Sequence, residues 1–379
     1  MESFWHQTNT NNANQTNQSS FSSGRSNKSF DPPSCQASVV AIKTSSSSPF
    51  ELNSKSLIGV GVGVAAVCGA SYLLYRHLKR DVMPVKWRRV GTLQPIYLFP
   101  VKSCGPLERT PQLAYDCDTL GLSLNGLRDR NLMLINERNE MITARGYPHM
   151  VKIQPKLLVD GTLVFNFPDL PEIELNLKNL EPSGNDVHTA VWGVPVDAMP
   201  CGERFDKWFS KAILKKDTGV RLVHYPYPKP VRQTVERLRH MPFLRKEDSG
   251  TFQDATSYMI MNLASVADLN TRLKRPVESQ QFRSTFELKM DVDEAYAEDN
   301  WQWVRIGDDA VFRIVAPCTR CILPNINVHT AERDVDGEPL KTLRSYRLFN
   351  YSSPALGVHL GLRVPGKVKA NDIIYVEEK

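Results

Sequence analysis

Two cysteines three residues apart raise the question of chemistry in this chain. They lie in Ala316-Pro317-Cys318-Thr319-Arg320-Cys321-Ile322-Leu323-Pro324, directly after an apolar run, residues 310–315, that predicts a strand. Such a pair can hold zinc, cycle between dithiol and disulfide, bind another metal through one thiolate, or pack inertly in a core. Zinc needs a second pair or histidines at ligand spacing, and Cys104, Cys117 and Cys201 show no such arrangement. A thioredoxin-like pair should open a helix in a βαβ unit, whereas Pro324 and the Asn-rich residues after it predict a loop. Spacing alone leaves all four uses open, with buried packing the plainest.

Those residues need a scaffold, and beyond Arg89 the pattern is mostly β. Short apolar runs recur between turn signals at residues 90–98, 132–136, 157–165, 190–197, 221–225, 286–289, 310–315 and 373–376. Two segments change period: Phe205, Trp208, Phe209, Ala212 and Ile213 recur at helical spacing, as do Leu263, Val266, Ala267 and Leu273. Many short strands with two or three helices predict a β-rich α+β protein of barrel-like architecture. Residues 225–246, with Pro226, Pro228, Pro230 and Pro242 among many basic side chains, predict a long connection between two units. A chain of 379 residues is long enough for two such cores.

The formal net charge is +6, but its distribution argues against a nucleic-acid partner. Residues 76–90 hold Arg76, Lys79, Arg80, Lys86, Arg88 and Arg89 against Asp81 alone. Residues 1–55 hold Arg25, Lys28, Lys43 and Lys55 against Glu2, Asp31 and Glu51, so residues 91–379 are neutral overall. Seven cysteines, odd in number and sparse, do not form a secreted disulfide framework; a reducing compartment is expected. Residues 1–55, rich in Asn, Gln and Ser, predict a disordered tail. Residues 57–75 then run without a charge, long enough at about 1.5 Å per residue to cross most of a bilayer core of about 30 Å. Four glycines in that run and the basic cluster after it point to one transmembrane anchor over residues 56–76, with its C-terminal side in the cytosol.

The segments Tyr97-Leu98-Phe99-Pro100-Val101-Lys102-Ser103-Cys104, Gly126-Leu127-Arg128-Asp129-Arg130, Thr143-Ala144-Arg145 and Cys318-Thr319-Arg320-Cys321 together resemble the mitochondrial amidoxime-reducing component family. These are MOSC-domain enzymes of the molybdenum cofactor. The resemblance runs from about Val90 to the end, through Ala267-Asp268-Leu269-Asn270, Tyr296-Ala297-Glu298-Asp299 and Leu343-Arg344-Ser345-Tyr346. It implies a MOSC N-terminal β-barrel domain over residues 89–220, packed with a MOSC β-barrel domain over 221–379 and preceded by the transmembrane helix. It also implies Mo-molybdopterin, with Cys321 as metal ligand and catalytic residue, and with Lys102, Ser103, Arg130, Thr256, Arg283, Thr319 and Arg320 binding the cofactor. That assignment is chemically sound. A thiolate is a soft donor suited to molybdenum beside dithiolene sulfurs, and the pterin's phosphate needs fixed cations and oriented N–H groups.

By the same resemblance, the expected reaction is reduction of N-hydroxylated compounds such as amidoximes to amidines, with water released. Electrons would come from cytochrome b5, itself reduced by NADH-cytochrome b5 reductase. The chain has no Gly-x-Gly-x-x-Gly fingerprint, so no direct nicotinamide binding is expected. The implied location is the mitochondrial outer membrane, facing the cytosol, or alternatively the endoplasmic-reticulum membrane. Some positions depart from the family. Ser284 and Thr285 stand where Pro-Asn is usual, Ser257 where proline is common, and His359 where some members carry tyrosine. Cys318 is expected to be a packed thiol and His359 a packing residue. The rival activity is a sulfur-carrying or molybdenum-cofactor sulfurase-like MOSC protein, with a persulfide on a cysteine; a scaffold with a degenerate site is a third.

Overall fold

The computed structural model describes residues 67–71, 82–109, 112–180, 184–349 and 352–378. The chain divides into two units, Met1–Leu78 and Lys79–Lys379. Of the first, residues 67–71 are described, as helix; the expected tail, residues 1–55, lies outside the described residues.

In the second unit, seven strands close into a barrel in the order Trp87–Leu93, Phe286–Met290, Tyr258–Asn262, Ala355–Val364, Ala310–Thr319, Trp303–Ile306 and Ile373–Glu377, the last pairing back with the first. All neighbours are antiparallel except Tyr258–Asn262 with Phe286–Met290. Apart from Arg313 and Thr319 the strand Ala310–Thr319 is apolar, and it is buried along most of its length. Tyr258, Phe286 and Phe312 meet inside the barrel with ring centroids 5.1–5.7 Å apart. The buried Tyr258 hydroxyl donates to the Asp118 carbonyl at 2.7 Å, which satisfies its polar end.

Residues 94–224 build three smaller open sheets. One joins Leu132–Asn136, Val220–His224, Val194–Pro200 and Val187–Val191, and another joins Gln154–Leu157, Leu163–Asn166 and Ile173–Leu175. The third runs Gly366–Lys369, Ala114–Asp118, Gly121–Leu124 and Leu127–Arg128. The two halves are therefore interlocked: Trp87–Leu93 completes the C-terminal barrel, and Gly366–Lys369 completes an N-terminal sheet. The helix Glu203–Leu214 buries Phe205, Trp208, Phe209, Ala212 and Ile213, the face its spacing predicts. Trp208 and Phe209 pack on Phe165. Residues 225–245 hold no helix or strand and form the connection.

Two expectations need correction. The N-terminal half is not a closed barrel: it forms open, half-barrel sheets, because the strand that begins it pairs with the C-terminal half instead. The transmembrane helix is not found either. Among the described residues no helix is long and apolar enough to cross a membrane. Only residues 67–71 of the uncharged run are described, and the rest of it lies outside the described residues. With the helix go the single-helix membrane attachment and the outer-membrane and endoplasmic-reticulum locations that depended on it.

The seam that closes the barrel is tight. A Cβ on Gly91 would lie 2.2 Å from the Lys289 carbonyl oxygen and 2.8 Å from Met290 Cα. Gly91→Val should therefore force these strands apart and cost about 1–3 kcal/mol, lowering Tm by roughly 2–10 °C in calorimetry. An unchanged melt would contradict the register Gly91↔Met290.

Candidate active site

A cavity of about 430 Å³ opens where the N-terminal sheets, the connection and one end of the barrel meet. Its volume suits a small molecule or cofactor. Lys102, Ser103, Arg130, Thr256, Arg283, Thr319, Arg320 and Cys321 all line it, although the outermost of them are more than 200 residues apart in sequence. Cys318 and His359 line it too.

The basic side begins at the segment after Phe99. Phe99 O accepts from Arg130 N at 2.7 Å, and Lys102 N donates to Leu132 O at 2.8 Å, which ties the two loops together. Lys102 is buried, and its Nζ donates to Phe252 O at 2.7 Å and pairs with the Asp254 carboxylate. Burial brings the amine down to about 8, against the pull of Asp254. Burial alone would raise Asp254, but Lys102 and the Trp192 indole, donating at 2.6 Å, hold it below the usual carboxylate range.

Arg130 and Arg283 both stack on the Phe99 ring, 4.6 Å and 4.0 Å from its centroid. Arg130 pairs with the buried Asp129 and donates through Nη2 to Arg283 O at 3.0 Å. Arg283 donates through Nη1 to Cys104 O at 2.7 Å, while its buried Nη2 has no hydrogen-bond partner among the described residues. Burial, and then the charge of Arg130, bring Arg283 down to about 9. Ser103, Arg130 and Arg283 all adopt left-handed backbone, φ 69°, 49° and 55°. Non-glycine residues rarely adopt it, and such strain gathers at functional sites.

On the thiol side, the pairing of Ala310–Thr319 with Ala355–Val364 slips three times, the last time between Pro317 and Thr319. Bulges of this kind re-aim side chains at a barrel rim. Cys318 is buried and Cys321 is exposed at the cavity. Arg320, buried between them, donates from Nη1 to Phe282 O at 2.8 Å and from Nε to Leu356 O at 2.9 Å. Its guanidinium is thus committed to backbone carbonyls, one of them next to Arg283, and acts as a brace. Thr256 Oγ1 donates to Tyr258 O at 2.8 Å and so accepts from His359 Nδ1 at 3.1 Å, which assigns that ring proton. His359 also hydrogen-bonds the Cys318 thiol. Burial pushes that thiol up, but the neighbouring Arg320 and His359 charges more than reverse this and leave it at about 7.

Several lining residues carry no role in the sequence-based expectations: Arg145, Trp192, Arg237, His240 and Asp254. Trp192 occupies a hairpin turn inside the run 190–197, which had been expected as one strand. Arg237 and His240 come from the connection. In all, six basic residues line the cavity (Lys102, Arg130, Arg145, Arg237, Arg283 and Arg320) against one acid, Asp254. That excess suits anionic ligands, and the unpartnered Arg283 Nη2 beside Lys102 and Arg130 fits a phosphate group. Among the described residues no three His, Cys, Asp or Glu side chains cluster to hold a metal ion.

Residues 90–216 match the family described as the MOSC N-terminal beta barrel domain, and residues 247–375 match the MOSC domain. Human mitochondrial amidoxime-reducing component 1 is 33% identical over 329 residues, covering 83% of this chain and 93% of that protein. Human mitochondrial amidoxime reducing component 2 is 31% identical, covering 83% and 92%. The Danio rerio component 1 is 31% identical, covering 86% and 96%. The chain belongs to the amidoxime-reducing component family of MOSC-domain oxidoreductases.

Proposed function

We propose that this oxidoreductase is a molybdenum-cofactor N-reductase that converts N-hydroxylated compounds such as amidoximes to amidines, with electrons from cytochrome b5. The observation that carries this reading is the convergence of Lys102, Arg130, Arg283 and Cys321 on one cavity. Lys102, Ser103, Arg130 and Arg283 would hold the phosphate end of molybdopterin, Thr256 and Thr319 would offer hydroxyls, and Cys321 would supply the one protein thiolate to the metal. When bound, the cofactor supplies a two-electron redox centre. The overall change is R–C(NH2)=NOH plus two electrons and two protons, giving R–C(NH2)=NH and water. His359 holds a proton at Nδ1, shared with Thr256, and the Cys318 thiol beside it titrates near neutrality, so protons lie on the cavity wall. Arg320, through Phe282 O, keeps the Arg283 turn in place.

Two experiments test this. Cys321→Ala should abolish molybdenum retention and N-reduction, while Cys318→Ala should keep most of the metal, since one thiolate suffices. Equal metal loss in both would refute the assignment of Cys321 as the one protein thiolate.

Separately, Lys102→Met, Arg130→Met and Arg283→Met each delete one charge while keeping much of the bulk. Each should weaken cofactor binding by about 10- to 150-fold, the equivalent of a charge-assisted contact of about 1.5–3 kcal/mol. The readout is molybdenum per chain after chelator challenge, beside a thermal melt, with the exposed Lys178→Met as control. Full loading in all three variants would mean that these cations do not clamp the cofactor.

A further inference from the structure

The cavity has a second basic feature that the cofactor clamp does not use. Strands Val187–Val191 and Val194–Pro200 join through a two-residue turn, Trp192-Gly193, with φ 53° and 80°. Turns of this hand favour Asn, Asp or Gly at the first position, and a bulky aromatic residue there is strained. Trp192 is nevertheless held firmly at the cavity wall, because its Nε1 donates to Asp254 Oδ1 at 2.6 Å.

Arg145, from the segment before Tyr147, lies over that indole with its Cζ 3.8 Å from the ring centroid. Its carbonyl accepts from the Arg333 guanidinium, which fixes the backbone beneath it. Its own guanidinium is half-buried in the cavity wall and has no carboxylate partner among the described residues. The acid on this wall, Asp254, is already bonded to Lys102 and Trp192. A guanidinium whose cation lies over a ring face rather than on a carboxylate keeps N–H donors available for an oxyanion, and partial burial strengthens that attraction. Arg145 and Trp192 lie on a different ring from the Phe99 clamp, and the Asp254–Lys102 pair links the two.

We propose that Arg145, held over the Trp192 ring, is an anion-recognition subsite, and that the preferred substrates carry a carboxylate at a distance from the reducible N–O group. The substrate class rests on the N-reductase reading above; the subsite itself does not. Asp254 and Trp192 are positioning residues: they hold the platform on which Arg145 lies.

The test compares benzamidoxime with 4-carboxybenzamidoxime on the molybdenum-loaded protein. Wild type should favour the acid in kcat/KM, mainly through KM. Arg145→Gln should lower kcat/KM for the acid about 10- to 100-fold more than for the neutral substrate, with molybdenum per chain and Tm unchanged. Arg145→Lys, which keeps the charge without the planar fork, should recover part of the preference. Titration calorimetry with the products 4-carboxybenzamidine and benzamidine should show the same ranking without turnover. An acid preference that survives Arg145→Gln overturns the proposal, as does molybdenum loss in that variant, which would assign Arg145 to the cofactor. If loaded wild type reduces neither compound, the N-reductase reading fails, and the calorimetric difference alone then decides the subsite.

Discussion

The constraint on which this site depends is the confinement of like charges. Lys102, Arg130 and Arg283 share one poorly solvated wall, and burial first, with the neighbouring cations adding to it, depresses the amine of Lys102 and the guanidinium of Arg283. The fold offsets it with groups that carry little opposing charge into the cavity: the Phe99 ring, the carbonyls of Phe252 and Cys104, and the buried Asp129. Asp129 is itself fixed, accepting from Phe99 N at 2.9 Å, while Gln253 and Thr251 hold its carbonyl. What remains is a net positive field in a low-dielectric cleft, where an anion gains far more than it would on the surface.

Around that wall, the arginines divide their labour. Arg320 and Arg232 are almost wholly buried and donate to backbone carbonyls, so they stabilise loop geometry. Arg145 and Arg283 keep donor capacity at the cavity. The left-handed conformations of Ser103, Arg130 and Arg283 are tolerated because each turn is braced from behind by such contacts. A similar division separates the two cysteines: Cys318 faces His359 inside the wall, while Cys321 lies beyond the end of the strand, exposed.

Much of this was legible in the sequence, for reasons that also mark the limits. The helix Glu203–Leu214 follows from its 3.6-residue spacing, and Leu132–Asn136 from its compact apolar run. The cofactor-site residues came from ordered motifs, since periodicity alone does not say that Lys102 and Arg283 meet. Residues 157–165 were expected as one strand, yet Asp160-Gly161 is a standard turn signal that could have divided them. The break at Trp192-Gly193 had no such signal, because tertiary contacts rather than local preference hold Trp192 in a left-handed turn. The pairing of Trp87–Leu93 with the C-terminal barrel was equally hidden: alternation reveals which face of a strand is buried, and leaves its partner unspecified.

The barrel seam has a consequence for how the protein is made. Trp87 pairs with Glu377, so the strand Trp87–Leu93 finds its second neighbour only once residues 373–377 have left the ribosome. Until then the barrel has two open edges, and an exposed edge invites pairing with other chains. Closing so long a loop adds little to the free energy once the chain is complete, but such non-local pairing slows folding. Chaperones that cover bare strand edges thus have their main opportunity during translation. A chain cut before Ile373 would leave Trp87–Leu93 and Trp303–Ile306 each without one neighbour, so the barrel would stay open at both edges.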